Sequence, residues 1–71
     1  MGTLSERLAT IRKKQRLSQQ ALAERASVPQ SAICDIETGK RKNPGYQLVL
    51  KLAQALGVSA TDLLGDTEPY Q

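Results

Sequence analysis

Four outward positions on one predicted helix carry side chains that suit contact with DNA bases. Between residues 29 and 37, a helical rotation of about 100° per residue turns Ile33 and Ile36 inward. The outward side chains are those of Gln30, Ser31, Cys34 and Asp35. A glutamine can pair with two atoms of an adenine edge at once, and a serine can donate to or accept from several base edges. The pattern indicates base contact, although a plain solvated face would carry similar residues.

The later two of these residues each have two interpretations. A thiol at Cys34 can rest against a thymine methyl group, or it can be a half-buried small residue of the structure. Asp35 would be repelled by phosphates, but it can accept a hydrogen bond from a cytosine amine and so exclude wrong sites. Since the chain has one cysteine and no histidine, we expect no metal site and no cofactor.

The helix with the predicted base-contacting positions is the second of two short helices joined by a tight turn. Apolar side chains fall where the two helices would face each other and the core, at Leu22, Ala26, Val28, Ile33 and Ile36. Ser18 is a suitable N-cap for a helix over residues 19–26. Pro29 presets φ for the first turn of the next helix, over residues 29–37. This spacing predicts a helix-turn-helix, whose second helix would enter the major groove.

The flanking sequence predicts three more helices, over residues 4–15, over residues 46–56 and, as a short element, after Ser59. Thr3 and Glu6 have the spacing of a capping box at the first of these helices. Ser59 and Asp62 repeat that spacing at the last one, and Gly57 is a suitable stop before it. Nothing resembles a strand. The sequence therefore predicts an all-α fold, a compact five-helix bundle whose second and third helices form the motif.

The predicted fourth helix is apolar over more of its circumference than one core face needs. Its core stripe would consist of Leu48, Val49, Leu52, Ala55 and Leu56. Three further residues, Tyr46, Leu50 and Ala53, cluster away from the Leu48 and Leu52 side. Two explanations are open, because the helix can pack on two sides within its own bundle, or the cluster can form a two-fold dimer contact.

Length and composition limit the chain to one small domain. With 71 residues and no Phe or Trp, it can build only a small core, which partner chains would help to stabilise. We expect a domain over residues 1–65 and a short flexible tail over residues 66–71. The lone cysteine excludes an intramolecular disulfide and favours the cytoplasm of a bacterium or phage host. We find no apolar run of membrane-spanning length and no export signal, so we expect no membrane partner.

The positive charge is concentrated in the part of the chain that carries the motif. Residues 1–42 have nine Lys and Arg against four Asp and Glu, whereas the remaining residues have one against three. The first part therefore carries +5 and the second −2, which together give the net charge of +3. A basic motif region is expected where a protein neutralises phosphates and releases counterions.

Several short segments in and around the motif resemble one known family. They are Leu17-Ser18-Gln19, Gln30-Ser31, Glu37-Thr38-Gly39-Lys40 and Leu56-Gly57-Val58-Ser59. Over roughly residues 4–64 the chain resembles the lambda-repressor and Cro-type helix-turn-helix family (XRE family) of small transcriptional regulators. Ser27 departs from the pattern, because relatives usually have glycine in this turn. If Ser27 adopts the left-handed conformation, the cost is about 1 kcal/mol.

The resemblance also implies roles for individual residues. Gln19 would contact a phosphate and brace the base-reading Gln30. A basic loop would approach the sugar-phosphate backbone with Lys40, Arg41 and Lys42. Arg12 on the first helix and Glu37 at the end of the third would form a structural salt bridge, worth several kcal/mol if partly buried and about 0 to 1 if exposed.

The function implied by the resemblance is sequence-specific DNA binding by a transcriptional regulator. It would act as a homodimer on a palindromic operator. The regulator would repress by occluding a promoter or activate by contacting polymerase. A protein-interaction module, such as the antitoxin component of a toxin-antitoxin pair, is the alternative. Its partner would be a toxin or another protein. The sequence shows no candidate set of catalytic residues, so we do not expect an enzyme.

Overall fold

Five helices and no strand make up the described part of the chain, which comprises residues 3–41 and 44–65 of a computed structural model. In chain order they are α1 (Leu4–Lys14), α2 (Gln19–Ala26), α3 (Gln30–Glu37), α4 (Tyr46–Leu56) and α5 (Ala60–Leu64). The all-α, five-helix prediction is confirmed. The predicted tail over residues 66–71 and the loop residue Lys42 lie outside the described residues.

Hydroxyl side chains begin three of the helices by accepting from backbone N–H groups. The capping box of α1 is present, with the Glu6 N–H 3.3 Å from the Thr3 hydroxyl. Ser18 accepts from the Ala21 N–H at 3.0 Å at the start of α2, and Ser59 begins α5 in the same way within a second capping box. Each contact satisfies a backbone donor that has no partner inside its own helix.

The start of α3 differs from the prediction by one residue. Pro29 was expected inside the first turn, but it occupies the N-cap with an extended backbone, at φ −65° and ψ 144°. The helix therefore begins at Gln30, and no side chain caps it. Because Pro29 itself has no N–H group, its N-cap position leaves the first donors of α3 at Gln30 and Ser31.

Two helices end in the same left-handed turn with different residues. Ser27 ends α2 at φ 59° and ψ 44°, and Gly57 ends α4 at φ 72° and ψ 28°. In both turns the residue that follows donates back into the helix, from Val28 to the Ala23 carbonyl and from Val58 to the Ala53 carbonyl, each at 3.0 Å. Ser27 therefore adopts the conformation that glycine adopts more easily.

The main helix contacts form a closed ring around one core. α1 packs against α3 and α5, α2 packs against α3 and α4, and α4 closes the ring by packing against α5. The largest fully buried side chains come from all five helices: Leu8, Leu22, Ile33, Ile36, Val49, Leu52 and Leu63. This arrangement buries the inner faces of α2 and α3 and leaves their N-terminal ends at the surface.

The structure decides between the two explanations for one residue of α4. Ala53 was assigned to a possible dimer contact, but its side chain is only 2% exposed and belongs to the core. This burial agrees with the explanation in which α4 packs on two sides within its own bundle, since α4 contacts both α2 and α5. Leu48 and Ala55, expected in the core stripe, are only partly buried against it. Tyr46 is 48% exposed.

Side chains of α1 and of Gln15, the residue that follows it, also contact carbonyls of the last two helices. The Gln15 side-chain amide donates to the Leu56 carbonyl of α4 at 2.6 Å. The Arg7 guanidinium donates to the Asp62 carbonyl of α5 at 3.1 Å. Carbonyls in the last turn of a helix have no partner within it, so these contacts attach α1 to α4 and α5.

Candidate nucleic-acid interface

The start and outer face of α3 carry the four predicted base-contacting residues. Gln30 and Ser31 are exposed, whereas Cys34 and Asp35 are half-buried. Within the described residues, no hydrogen bond engages any of these four side chains. Their donors and acceptors are therefore free for a ligand. The opposite face of the helix is fixed in the core by Ala32, Ile33 and Ile36.

The N-terminus of α2 supplies further backbone donors. The N–H groups of the first residues of a helix have no acceptor within it, and the helix dipole makes this end positive. Ser18 accepts from the Ala21 N–H, so the N–H groups of Gln19 and Gln20 remain as donors at the helix end. The arrangement suits a phosphate oxygen.

A hydrogen-bonded ion pair joins α1 to the end of α3. The Arg12 guanidinium donates from Nε to Glu37 Oε2 at 2.7 Å and from Nη2 to Glu37 Oε1 at 3.0 Å. The two side chains are 11% and 8% exposed, so the pair is largely removed from water. The third donor position, Nη1, bonds the Leu17 carbonyl at 2.7 Å, just before α2 begins. One guanidinium thus links three helices.

The same carboxylate also holds Gln19. The side-chain amide of Gln19 donates to Glu37 Oε1 at 3.0 Å. The bracing of Gln30 by Gln19, implied by the family resemblance, is not among the hydrogen bonds of the described residues, where the Gln19 amide donates to Glu37. The sequence offered no local signal for this contact, since the two residues are 18 positions apart in the chain.

Both members of the ion pair stay charged at neutral pH. Burial raises the pKa of the Glu37 carboxyl, but the hydrogen bonds from Arg12 and Gln19 and the charges of Arg12 and Lys13 outweigh burial. The pKa of Glu37 therefore lies below its ordinary value. The hydrogen bond to Glu37 raises the pKa of the Arg12 guanidinium, against the opposing effect of burial.

The loop after α3 carries exposed basic side chains and is bonded to the last turns of that helix. Gly39 allows the turn with φ 84°, and the Arg41 N–H donates to the Asp35 carbonyl at 3.0 Å. Lys40 and Arg41 are exposed. The backbone contact from Arg41 to Asp35 keeps the first part of the loop against α3. Lys42, the third predicted cation, is outside the described residues.

Other kinds of site are not apparent in the described part of the chain. Residues 3–41 and 44–65 contain no group of three or more His, Cys, Asp or Glu side chains placed to hold a metal ion. Among the described helices, none has the length and apolar character needed to span a bilayer. The polar face of α3 and its surroundings are therefore the strongest candidate site on these residues.

Comparisons with known proteins identify the family of this chain. The family model described as helix-turn-helix matches residues 8–63. Over 64 residues the chain is 36% identical to the immunity repressor protein of Bacillus phage phi105, and the match covers 90% of this chain and 44% of that protein. The chain thus spans less than half the length of this curated relative.

Two solved structures of the regulator SinR are also similar to the chain. The crystal structure of SinR, the master regulator for biofilm formation, in complex with DNA matches with a TM-score of 0.80 and 35% identity, covering 84% of this chain and 98% of that one. The SinR and SinI protein complex matches with a TM-score of 0.85 and 30% identity, covering 97% of this chain and 67% of that one.

Proposed function

Because this chain belongs to the lambda-repressor and Cro-type helix-turn-helix family, we propose that it is a sequence-specific DNA-binding transcriptional regulator. One observation carries the proposal: the polar side chains at the start of α3 are exposed and unbonded within the described residues. Its relatives support it, since one is an immunity repressor and SinR has been solved with DNA. We assign repression as its role, in the cytoplasm.

The proposed contacts divide into base reading and backbone positioning. Direct readout is assigned to Gln30, Ser31, Cys34 and Asp35 in the major groove. Phosphate contact is assigned to Gln19, Lys40, Arg41 and Lys42. The first set would decide which sequence is bound, and the second would set affinity and register.

We further propose that the regulator binds a palindromic operator as a homodimer. One module of this size contacts few base pairs, so two copies on half-sites about one helical turn apart would give useful specificity. The remaining candidates for the dimer contact are Tyr46, which is 48% exposed, and the half-buried Leu50. Ala53 is excluded because it lies in the core of its own chain.

Selection from a random duplex library tests the function directly. The wild type should enrich an inverted repeat at about 0.15 M salt. Gln30→Ala should cost about 1 to 3 kcal/mol and relax the preference at one base, whereas Lys42→Ala should weaken all sites similarly and flatten the salt dependence. Gln47→Ala, an exposed glutamine on α4, is the matched control and should leave selection unchanged.

Two results would count against this assignment. If both Gln30→Ala and Lys42→Ala reduced binding equally on selected and random DNA, α3 would not be the reading helix. If the wild type enriched no sequence, the protein-interaction function would be favoured. SinR itself has been solved in complex with the protein SinI, so a protein-binding role is the natural second candidate for this chain.

A further inference from the structure

We propose that Glu37 is a positioning residue, which holds the Gln19 side chain in the orientation that contacts a DNA phosphate. The inference rests on the proposed function and adds a residue to it. Glu37 lies at the end of α3, and its side chain is 8% exposed, so it is not itself placed for contact with DNA. Its carboxylate nevertheless bonds the Gln19 amide, at the first residue of α2.

The chemistry of the carboxylate fixes which way the Gln19 amide points. An ionised carboxylate can only accept hydrogen bonds, so the amide must turn its N–H group toward Glu37. The Gln19 contact to Oε1 at 3.0 Å therefore selects one of the two amide orientations. Among the described residues, one N–H and the carbonyl oxygen of Gln19 have no partner, and the residue is half-buried rather than enclosed in the core.

Glu37 can act in this way because it is itself held firmly. Two hydrogen bonds from Arg12, at 2.7 and 3.0 Å, keep its carboxylate in one plane. The same guanidinium bonds the Leu17 carbonyl at 2.7 Å, two residues before Gln19. The bonded pair of Arg12 and Glu37 therefore holds both the side chain of Gln19 and the backbone that leads into α2. A bidentate pair gives this kind of geometric definition.

Pre-ordering of Gln19 should improve DNA affinity without any new contact to DNA. A glutamine side chain loses rotamer freedom when it is immobilised in an interface, and a protein that has already restricted it loses less on binding. For one side chain this corresponds to an affinity change of roughly two- to tenfold. Neither helix packing nor net charge has to change for this effect.

A double-mutant cycle on DNA affinity tests the inference. Glu37→Asp retains the negative charge but shortens the side chain, so the carboxylate no longer reaches Gln19 and Arg12 together. Affinity for a duplex pool of random sequence, about 20 base pairs long, would be measured for the wild type, Glu37→Asp, Gln19→Ala and the double variant at about 0.1 M salt. Glu24→Asp, at an exposed position of α2, is the matched control.

The expected result is strong coupling between the two positions. Glu37→Asp should weaken binding roughly two- to tenfold when Gln19 is present and less than about twofold in the Gln19→Ala background. An equal loss in both backgrounds would show that Glu37 acts on the fold alone and would overturn the inference, while leaving the proposed function intact. Wild-type protein that fails to bind the pool would also overturn the inference, whereas the proposed function is decided separately by the library selection.

A measurement on the free protein keeps the inference testable if Glu37→Asp folds poorly. In the wild type, the side-chain amide of Gln19 should show restricted motion by nitrogen-15 relaxation, in contrast to that of exposed Gln47. Arg12→Lys retains charge but loses the bidentate geometry, and it should release the Gln19 amide. A Gln19 amide as mobile as that of Gln47 in the wild type would overturn the inference without reference to DNA.

Discussion

Replacing Glu37 by glutamine should destabilise the fold substantially although the two side chains have almost the same shape. In the native chain the carboxylate accepts two hydrogen bonds from Arg12 and one from Gln19, and both ion-pair side chains are about a tenth exposed, at 11% and 8%. A glutamine has one acceptor oxygen and one N–H₂ group. In either orientation, that group faces a donor of Arg12 or Gln19.

The size of the effect follows from the partial burial of the pair. An exposed ion pair contributes about 0 to 1 kcal/mol, whereas removing one partner of a buried pair costs about 3 to 5 kcal/mol. Arg12 retains its bond to the Leu17 carbonyl and some access to water, which reduces the cost of leaving its charge unpaired. We therefore expect a loss of about 2 to 3 kcal/mol in the free energy of unfolding.

Thermal unfolding followed by circular dichroism measures this loss. For a chain of this size, 1 kcal/mol corresponds to roughly 4 to 8 °C in Tm, so Glu37→Gln should melt about 10 to 20 °C lower than the wild type. Glu24→Gln is the matched control at an exposed site and should change Tm little. A shift of Glu37→Gln no larger than that of the control would refute the argument, because the pair would then contribute no more than a surface contact.

Three further predictions concern pH, backbone strain and a helix cap. The folded-state pKa of Glu37 is below the ordinary value of 4.5, so the stability that its charge contributes is present above that pH and is lost as pH falls through the folded pKa. Glu37→Gln should therefore lose less stability than the wild type during an acid titration monitored by circular dichroism. Ser27→Gly should raise the free energy of unfolding by about 0.5 to 1 kcal/mol in urea denaturation, because glycine adopts the left-handed conformation more easily. Gly57→Ser, which has open space around its Cβ position, should lower the free energy of unfolding by about 1 kcal/mol. If both variants were more stable than the wild type, the strain argument would be contradicted. Gln15→Ala, which removes the 2.6 Å bond to the Leu56 carbonyl, should cost about 0.5 to 1.5 kcal/mol in the same assay, and Gln20→Ala should cost less.

Local sequence determined the helices and their ends because the signals for them lie within a few residues. The capping boxes of α1 and α5 need a hydroxyl and a carboxylate three positions apart, and both form as predicted. Helical periodicity placed Ile33 and Ile36 inside and Gln30 outside. The boundary at Pro29 was missed by one residue, because proline suits both the N-cap and the first turn.

Long-range packing decided what periodicity could not. The sequence left open whether Ala53 packs within the bundle or forms a dimer contact, and the fold buries it in the core. Periodicity gives no direction for a helix that is apolar on most sides. The contact of Gln19 with Glu37 likewise joins residues 18 positions apart. Residue types along a chain fix local conformation, but a bond between helices exists only once the tertiary fold has brought their side chains to one place.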